Sequence, residues 1–149
     1  DPEVASIGLS QAKAVEEYGA DAVTAYDYNL AGNGKSHIIG TSGSIKVVRL
    51  NDGPIVGVHM IGARVGELIG EAQLAVNWEA YPEDVAPFLH AHPTQNEAIG
   101  EAARESLQRR DVIRKAMQAN GTSWDHQPQF DGRKNSLAQY LPARGNSRG

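Results

Sequence analysis

Cysteine is absent from all 149 residues of the sequence. Internal disulfides are therefore excluded, and so is a metal site built on cysteine ligands. No Gly-x-Gly-x-x-Gly run follows a predicted strand, so the usual dinucleotide-binding fingerprint is missing. No apolar run reaches the roughly 18 residues that a membrane helix requires. The length fits one domain, and the opening Asp-Pro-Glu has no feature of a signal or transit peptide.

Acidic and basic residues are unevenly divided along the chain. Residues 1–109 hold 7 Lys+Arg and 15 Asp+Glu, a balance of −8, whereas residues 110–149 hold 7 and 3, a balance of +4. The acidic part has no basic stripe of the kind that binds nucleic acid. The basic part is polar with few aliphatic residues, which is typical of a disordered or loosely held segment. We therefore predict a domain over 1–109 and a flexible C-terminal extension over 110–149.

Hydrophobic patterns in residues 1–109 predict an α+β fold with a largely antiparallel sheet and helices packed on it. Asp52-Gly53 between two apolar runs is a strong hairpin signal, and strands joined so tightly must be antiparallel. Ser10 is a good N-cap for a helix that Gly19 ends. Pro87 is expected to kink or end a further, short helix. The predicted strands cover 4–8, 22–28, 44–50 and 54–60, and the predicted helices cover 11–18, 63–78 and 81–86, with a helical run at 98–103.

The longest predicted helix carries two separate lines of residues. An apolar face is formed at helical spacing by Val65, Leu68, Ile69, Ala72 and Val76. Gly62, Gly66 and Gly70 recur every fourth residue on another line, and each interior glycine costs roughly 1 kcal/mol against alanine. Close approach of a neighbouring backbone would offset that cost. The neighbour is either a partner subunit or the domain's own sheet.

His92 and Glu97 are the strongest candidates for chemistry. Imidazole exchanges protons near neutral pH, and a carboxylate held against its other ring nitrogen would fix the tautomer of a general base. Pro93 stiffens the chain between them. The segment also fits a capping box, in which Thr94 caps the following helix and Glu97 returns to the Thr94 backbone N–H. The two interpretations are compatible, because a glutamate in the first helical turn has one oxygen for each partner.

The other histidines have simpler interpretations. His59 lies in an apolar strand, where buried polar groups are nearly always paired, so we predict a structural hydrogen bond for it. His90 and His92 form a His-x-His pair that could bind metal together with Glu97, but no fourth ligand has the usual spacing, and we assign no metal site. His37 and His126 lie in polar stretches and are predicted to be solvated.

Four stretches carry a family resemblance. They are residues 1–9 (DPEVASIGL), 53–62 (GPIVGVHMIG), 67–72 (ELIGEA) and 90–98 (HAHPTQNEA). In this order they resemble the C-terminal interface domain of the flavin-dependent disulfide reductases, the pyridine nucleotide-disulfide oxidoreductase family. The resemblance covers residues 1 to about 109, and four ordered motifs are far more specific than any one alone. The His-Ala-His-Pro-Thr run followed by Glu-Ala favours the dihydrolipoamide dehydrogenase branch.

The resemblance implies a homodimer whose active site spans two subunits. His92 would be the base that takes a proton from dihydrolipoamide, and Glu97 would orient and polarise it. The backbone of His92 and Pro93 would lie close to the partner's flavin, and electrons would pass to FAD and then to NAD. We expect the enzyme in the cytoplasm, or in the mitochondrial matrix if the source is eukaryotic. Because these residues include neither the redox disulfide nor the nucleotide-binding domains, we expect a fragment that is inactive alone. The alternative is a stand-alone, non-catalytic dimerisation module of the same fold.

Overall fold

The computed structural model describes residues 2–121. Within them, four strands form one antiparallel sheet in the order β1-β4-β3-β2. The strands are β1 (Glu3–Gly8), β2 (Val23–Asn29), β3 (Gly43–Leu50) and β4 (Ile55–Gly62). The helices are α1 (Gln11–Tyr18), α2 (Gly34–Ile38), α3 (Val65–Asn77), α4 (Pro82–Val85) and α5 (Glu97–Ala119), with short 3₁₀ turns at Ala20–Ala22 and Leu30–Gly32. The predicted α+β class with a largely antiparallel sheet is confirmed.

Local sequence signals set several of these boundaries. The predicted hairpin joins β3 and β4, where the Leu50 N–H donates to the Pro54 carbonyl at 3.1 Å. Ser10 caps α1 by accepting the Lys13 N–H at 3.3 Å. Gly19 follows the helix with φ of +90°, a conformation that favours glycine. As predicted, α4 ends before Pro87.

The core lies between one face of the sheet and the two longest helices. Helix α3 packs on β1 and β4, and α5 packs on β2 and β3. Each helix packs one face against the sheet, so an apolar stripe on that face is sufficient and the rest of the helix can be polar. Buried residues of the sheet include Ile45, Val47, Val58 and Met60, and those of the helices include Val65, Leu68, Ala72, Ala98, Ile99 and Ala102.

The glycine line of α3 has two different environments. The Gly66 N–H donates to Glu3 Oε2 of β1 at 2.9 Å, and a Cβ added at Gly66 would lie 3.1 Å from the same oxygen. Gly62 lies at the end of β4, not in the helix. A Cβ added at Gly70 would meet nothing within 4 Å in the described residues. Gly66 thus packs on its own chain, whereas the face at Gly70 is open.

Helix α5 is longer than the predicted helical run at 98–103. It crosses the predicted domain boundary at 109/110 and ends at Ala119. Arg110 joins it to the rest of the domain, because its Nη1 donates to Glu83 Oε1 of α4 at 2.8 Å. The division of the chain at 109/110 stays a prediction, and most of the predicted extension, from residue 122 onward, lies outside the described residues. No helix within 2–121 has the length and apolar character needed to cross a membrane.

Candidate active site

One carboxylate links the two predicted site residues to the start of α5. Glu97 Oε1 lies 2.9 Å from His92 Nδ1, and Glu97 Oε2 accepts the Thr94 backbone N–H at 2.8 Å. Both contacts expected of Glu97 are therefore present at once. The Thr94 hydroxyl differs from the capping-box prediction, because it donates to the Ala91 carbonyl at 2.6 Å. Only the glutamate half of the box forms.

The environment of Glu97 keeps its carboxylate ionised. Its pKa is lowered from the usual range by the hydrogen bond from the Thr94 backbone N–H and by the bond to His92. Its position in the first turn of α5 also favours a negative charge. Because an ionised carboxylate can only accept, Nδ1 of His92 must carry the proton of this bond. A neutral imidazole then has its lone pair on Nε2.

The imidazole of His92 is accessible from outside the chain. Its side chain is 77% exposed, against 26% for Glu97. No described residue forms a hydrogen bond with Nε2, so this nitrogen is available to an incoming proton donor. The peptide bond that joins His92 to Pro93 is cis. The arrangement can accept a proton from a thiol or an alcohol, and the resulting imidazolium would face the Glu97 carboxylate.

A buried polar network supports the chain just after His92. Asn33 precedes α2, and its side-chain N–H donates to the Thr94 carbonyl at 3.0 Å. Its Oδ1 accepts the Ser36 backbone N–H at 3.0 Å. Gln95 donates to the Ser36 hydroxyl at 3.3 Å. All three side chains are buried, so the network fixes residues 94 and 95 to the start of α2.

Sequence reasoning missed these supporting residues. Asn33 before Gly34 and Ser36 has the form of a helix N-cap, which a local search could have found. Its contact with Thr94 joins residues 61 positions apart, and no local pattern indicates such a contact. Glu71 lies in the 67–72 stretch that carries the family resemblance, but the sequence predicts no contact for its side chain. Its carboxylate oxygens lie 2.9 and 3.1 Å from His90 Nε2.

The remaining histidines have different environments. His59 is hydrogen-bonded, as predicted, with Nε2 3.0 Å from the Leu9 carbonyl. His37 is exposed, as predicted, and His126 lies outside the described residues. His90 and His92 face different carboxylates. Across residues 2–121, no three side chains of His, Cys, Asp or Glu are grouped to hold a metal ion.

His92 and Pro93, which are predicted to contact a cofactor, lie at an exposed edge of the domain and not in a pocket. His92 and Pro93 are both exposed, so a flavin held by another domain can approach their backbone. The cleft beside Pro93 has a volume of about 280 Å³, below the range of roughly 300–1,000 Å³ usual for ligand pockets. The residues around Pro93 therefore fit an edge contact with FAD rather than an enclosing pocket.

Comparison with known proteins identifies one family, and dihydrolipoyl dehydrogenases are among the relatives that match. The family model described as pyridine nucleotide-disulphide oxidoreductase, dimerisation domain, matches residues 1–103. The chain is 34% identical over 105 residues to a dihydrolipoyl dehydrogenase of Corynebacterium glutamicum, covering 69% of this chain and 22% of that protein. It is 41% identical over 102 residues to the mitochondrial dihydrolipoyl dehydrogenase of Schizosaccharomyces pombe, covering 68% and 20%.

A solved structure supports the same fold. The crystal structure of LpdA from Mycobacterium tuberculosis superposes with a TM-score of 0.64 and 24% identity, covering 70% of this chain and 23% of that chain. The chain thus spans between a fifth and a quarter of the length of these relatives.

Proposed function

The chain belongs to the pyridine nucleotide-disulphide oxidoreductase dimerisation-domain family, and we propose that it is the C-terminal interface domain of a dihydrolipoyl dehydrogenase. The observation that carries the proposal is the exposed His92 held by Glu97 at 2.9 Å. In the full homodimer this pair acts as the acid/base group for dithiol–disulfide exchange. The parent enzyme works in the cytoplasm or the mitochondrial matrix, with dihydrolipoamide as substrate.

The chemistry begins with a proton transfer. A free thiol has a pKa of about 8.5, and only the thiolate is a good nucleophile. Nε2 of His92 takes the proton from one thiol of dihydrolipoamide. The thiolate then attacks a disulfide on the partner subunit, forming a mixed disulfide and releasing one partner thiolate. The second substrate thiol gives its proton to the released partner thiolate and attacks the substrate sulfur of the mixed disulfide, which displaces the other partner sulfur as a thiolate. Oxidised lipoamide is formed, the partner disulfide is reduced to one thiol and one thiolate, and His92 keeps the first proton.

Glu97 serves this step in two ways. It accepts the Nδ1 hydrogen, which fixes the tautomer that has its lone pair on Nε2. It also carries the negative charge that stabilises the imidazolium formed after proton transfer. FAD, when bound by the parent chain, supplies the two-electron relay from the dithiol to NAD. Pro93 and the backbone of His92 would form the edge of this domain that meets the cofactor.

The absence of cysteine and of a dinucleotide fingerprint from these residues supports one alternative, a stand-alone dimerisation module without catalysis. The mass of the native polypeptide separates the two functions. A chain long enough for two further domains agrees with the flavoenzyme. A native chain of 149 residues would leave the dimerisation module, with Glu97 acting only at the start of its helix.

The decisive experiment is His92→Gln in the full-length, flavin-loaded homodimer. Stopped-flow reduction of the flavin by dihydrolipoamide should slow by about 10²- to 10⁴-fold, the usual contribution of a general base. Reduction of the flavin by NADH needs no thiol deprotonation and should not change. His37→Gln, at an exposed histidine on α2, is the matched control. An unchanged thiol-to-flavin rate in the His92 variant would refute the proposed role.

A further inference from the structure

A second histidine–carboxylate pair lies two residues before His92. His90 Nε2 is 2.9 Å from Glu71 Oε1 and 3.1 Å from Glu71 Oε2 on α3. The two side chains are 11% and 22% exposed. The His90 imidazole is therefore much more enclosed than that of His92, which is 77% exposed, whereas the two carboxylates are similarly covered.

The ring of His90 also contacts the other long helix. A Cβ added at Gly100 of α5 would lie 3.2 Å from His90 Cε1 and 3.3 Å from its Nδ1. Such distances are tighter than ordinary van der Waals contact, so glycine at this position leaves the space that the ring occupies. His90 is thus held between Glu71 of α3 and Gly100 of α5.

Apart from His90, the segment that leads to His92 has local hydrogen bonds, from the Phe88 N–H to the Val85 carbonyl and from the Thr94 hydroxyl to the Ala91 carbonyl. Among residues 87–93, His90 alone is not exposed. Leu89, its neighbour, is fully exposed. On the far side of His92, the chain is fixed through the Thr94 carbonyl by Asn33. His92 therefore lies between two anchors, and His90 is the anchor on its N-terminal side.

We propose that His90 and Glu71 are positioning residues that fix the segment carrying His92 between α3 and α5, and so set the aim of the His92 base. This inference rests on the proposed function. The pair does not touch the substrate. Its contribution is the placement of Nε2 of His92, and a misplacement of about 1 Å at a reacting group can cost roughly 100-fold in rate.

The test uses the full-length, flavin-loaded homodimer with two substitutions at one position. His90→Leu removes the hydrogen bond to Glu71, and His90→Gln keeps an N–H donor at a similar reach. Each variant is assayed for flavin reduction by dihydrolipoamide and, separately, by NADH. Asp27→Asn, which removes an exposed carboxylate paired with Lys46 on the sheet, is the control for loss of an ion pair elsewhere.

We expect His90→Leu to slow the thiol reaction by about 10- to 100-fold, while His90→Gln stays close to wild type and the NADH reaction is unchanged in both. If His90→Leu does not yield a flavin-loaded dimer, Glu71→Met tests the same bond from the helix side and should give the same selective loss. A wild-type thiol rate in the variant that lacks the bond overturns the inference. Equal losses in His90→Leu and His90→Gln, or equal losses in the two half-reactions, also overturn it.

His92→Gln separates this inference from the proposed function. If His92→Gln is slow and the His90–Glu71 variants are fast, only the positioning role fails. If His92→Gln itself reacts at the wild-type rate, the proposed function fails and the positioning role fails with it.

Discussion

Asn33 donates its side-chain amide to the backbone carbonyl of Thr94 at 3.0 Å. The contact joins the start of α2 to the segment that follows His92, and its donor is 4% exposed. A buried amide that makes three hydrogen bonds is a strong constraint on a loop.

Replacement of Asn33 should therefore weaken both the fold and the site. Asn33→Ala removes the N-cap of α2 and leaves the Thr94 carbonyl without its donor, which should lower the free energy of unfolding by about 1–2 kcal/mol. Denaturant unfolding measures this change. Asn29→Ala is a matched control, because Asn29 caps a 3₁₀ turn through Ala31 at an exposed position and should cost less. Equal losses in the two variants would show that the Thr94 contact contributes nothing beyond a cap.

Glu97 should make stability depend on pH in the acid range. Its pKa in the folded state lies below the usual value of about 4.3. Its contribution is therefore fully present above that value and is lost as pH falls through the lowered pKa. At about pH 7, Glu97→Gln should have a lower free energy of unfolding than wild type. This difference should shrink below about pH 4. Glu16→Gln, at an exposed carboxylate on α1, is the control. A difference that does not change with pH would contradict this assignment.

Tyr26 should titrate late. Its hydroxyl donates to Glu105 Oε2 of α5, and this hydrogen bond, with burial, raises the pKa of Tyr26 to about 12. The resulting stabilisation is complete below about pH 10 and is lost as pH rises from there through about 12. Tyrosinate absorbance should show a late phase that Tyr26→Phe removes, while the phase of Tyr28, whose pKa is also raised by burial, remains. Glu105→Gln should return that phase to lower pH, and an unshifted phase would exclude the carboxylate as its cause.

Gly70 tests where a second subunit packs. Since nothing in the described residues lies within 4 Å of its added Cβ, Gly70→Ala should raise the stability of an isolated chain by up to about 1 kcal/mol through helix propensity. If a partner's backbone approaches here, Gly70→Leu should weaken the dimer at least tenfold in sedimentation experiments. Ala12→Leu, on the exposed side of α1, controls for added apolar surface. An unchanged dimer would show that this line of α3 faces solvent.

Contacts between residues close in the sequence could be predicted, and contacts between distant residues could not. The β3–β4 hairpin and the α1 cap depend on neighbours within a few residues, and both were predicted correctly. His92 and Glu97 are five residues apart, so their meeting was within reach of a spacing argument. The contacts of His90 with Glu71 and of Asn33 with Thr94 span 19 and 61 residues, and no periodicity indicates them.

Helix α5 shows a different limit. Its buried face ends near Ser106, and its residues from Gln108 to Ala119 are mostly exposed. The apolar pattern used to locate helices therefore stops well before the helix does. Arg, Lys, Gln and Ala, which recur in this stretch, all have high helix propensity, and the bond from Arg110 to Glu83 fixes it to the domain. Propensity was the informative signal here, and periodicity was not.

His90 and His92 should differ in their reactivity toward chemical modification, because their imidazoles differ in exposure. Two identical imidazoles separated by one alanine are 11% and 77% exposed. An acylating reagent that modifies accessible histidines would meet His92 and be kept from His90 by α3 and α5. The two histidines should therefore react at different rates in the folded domain. In the unfolded chain this difference should disappear.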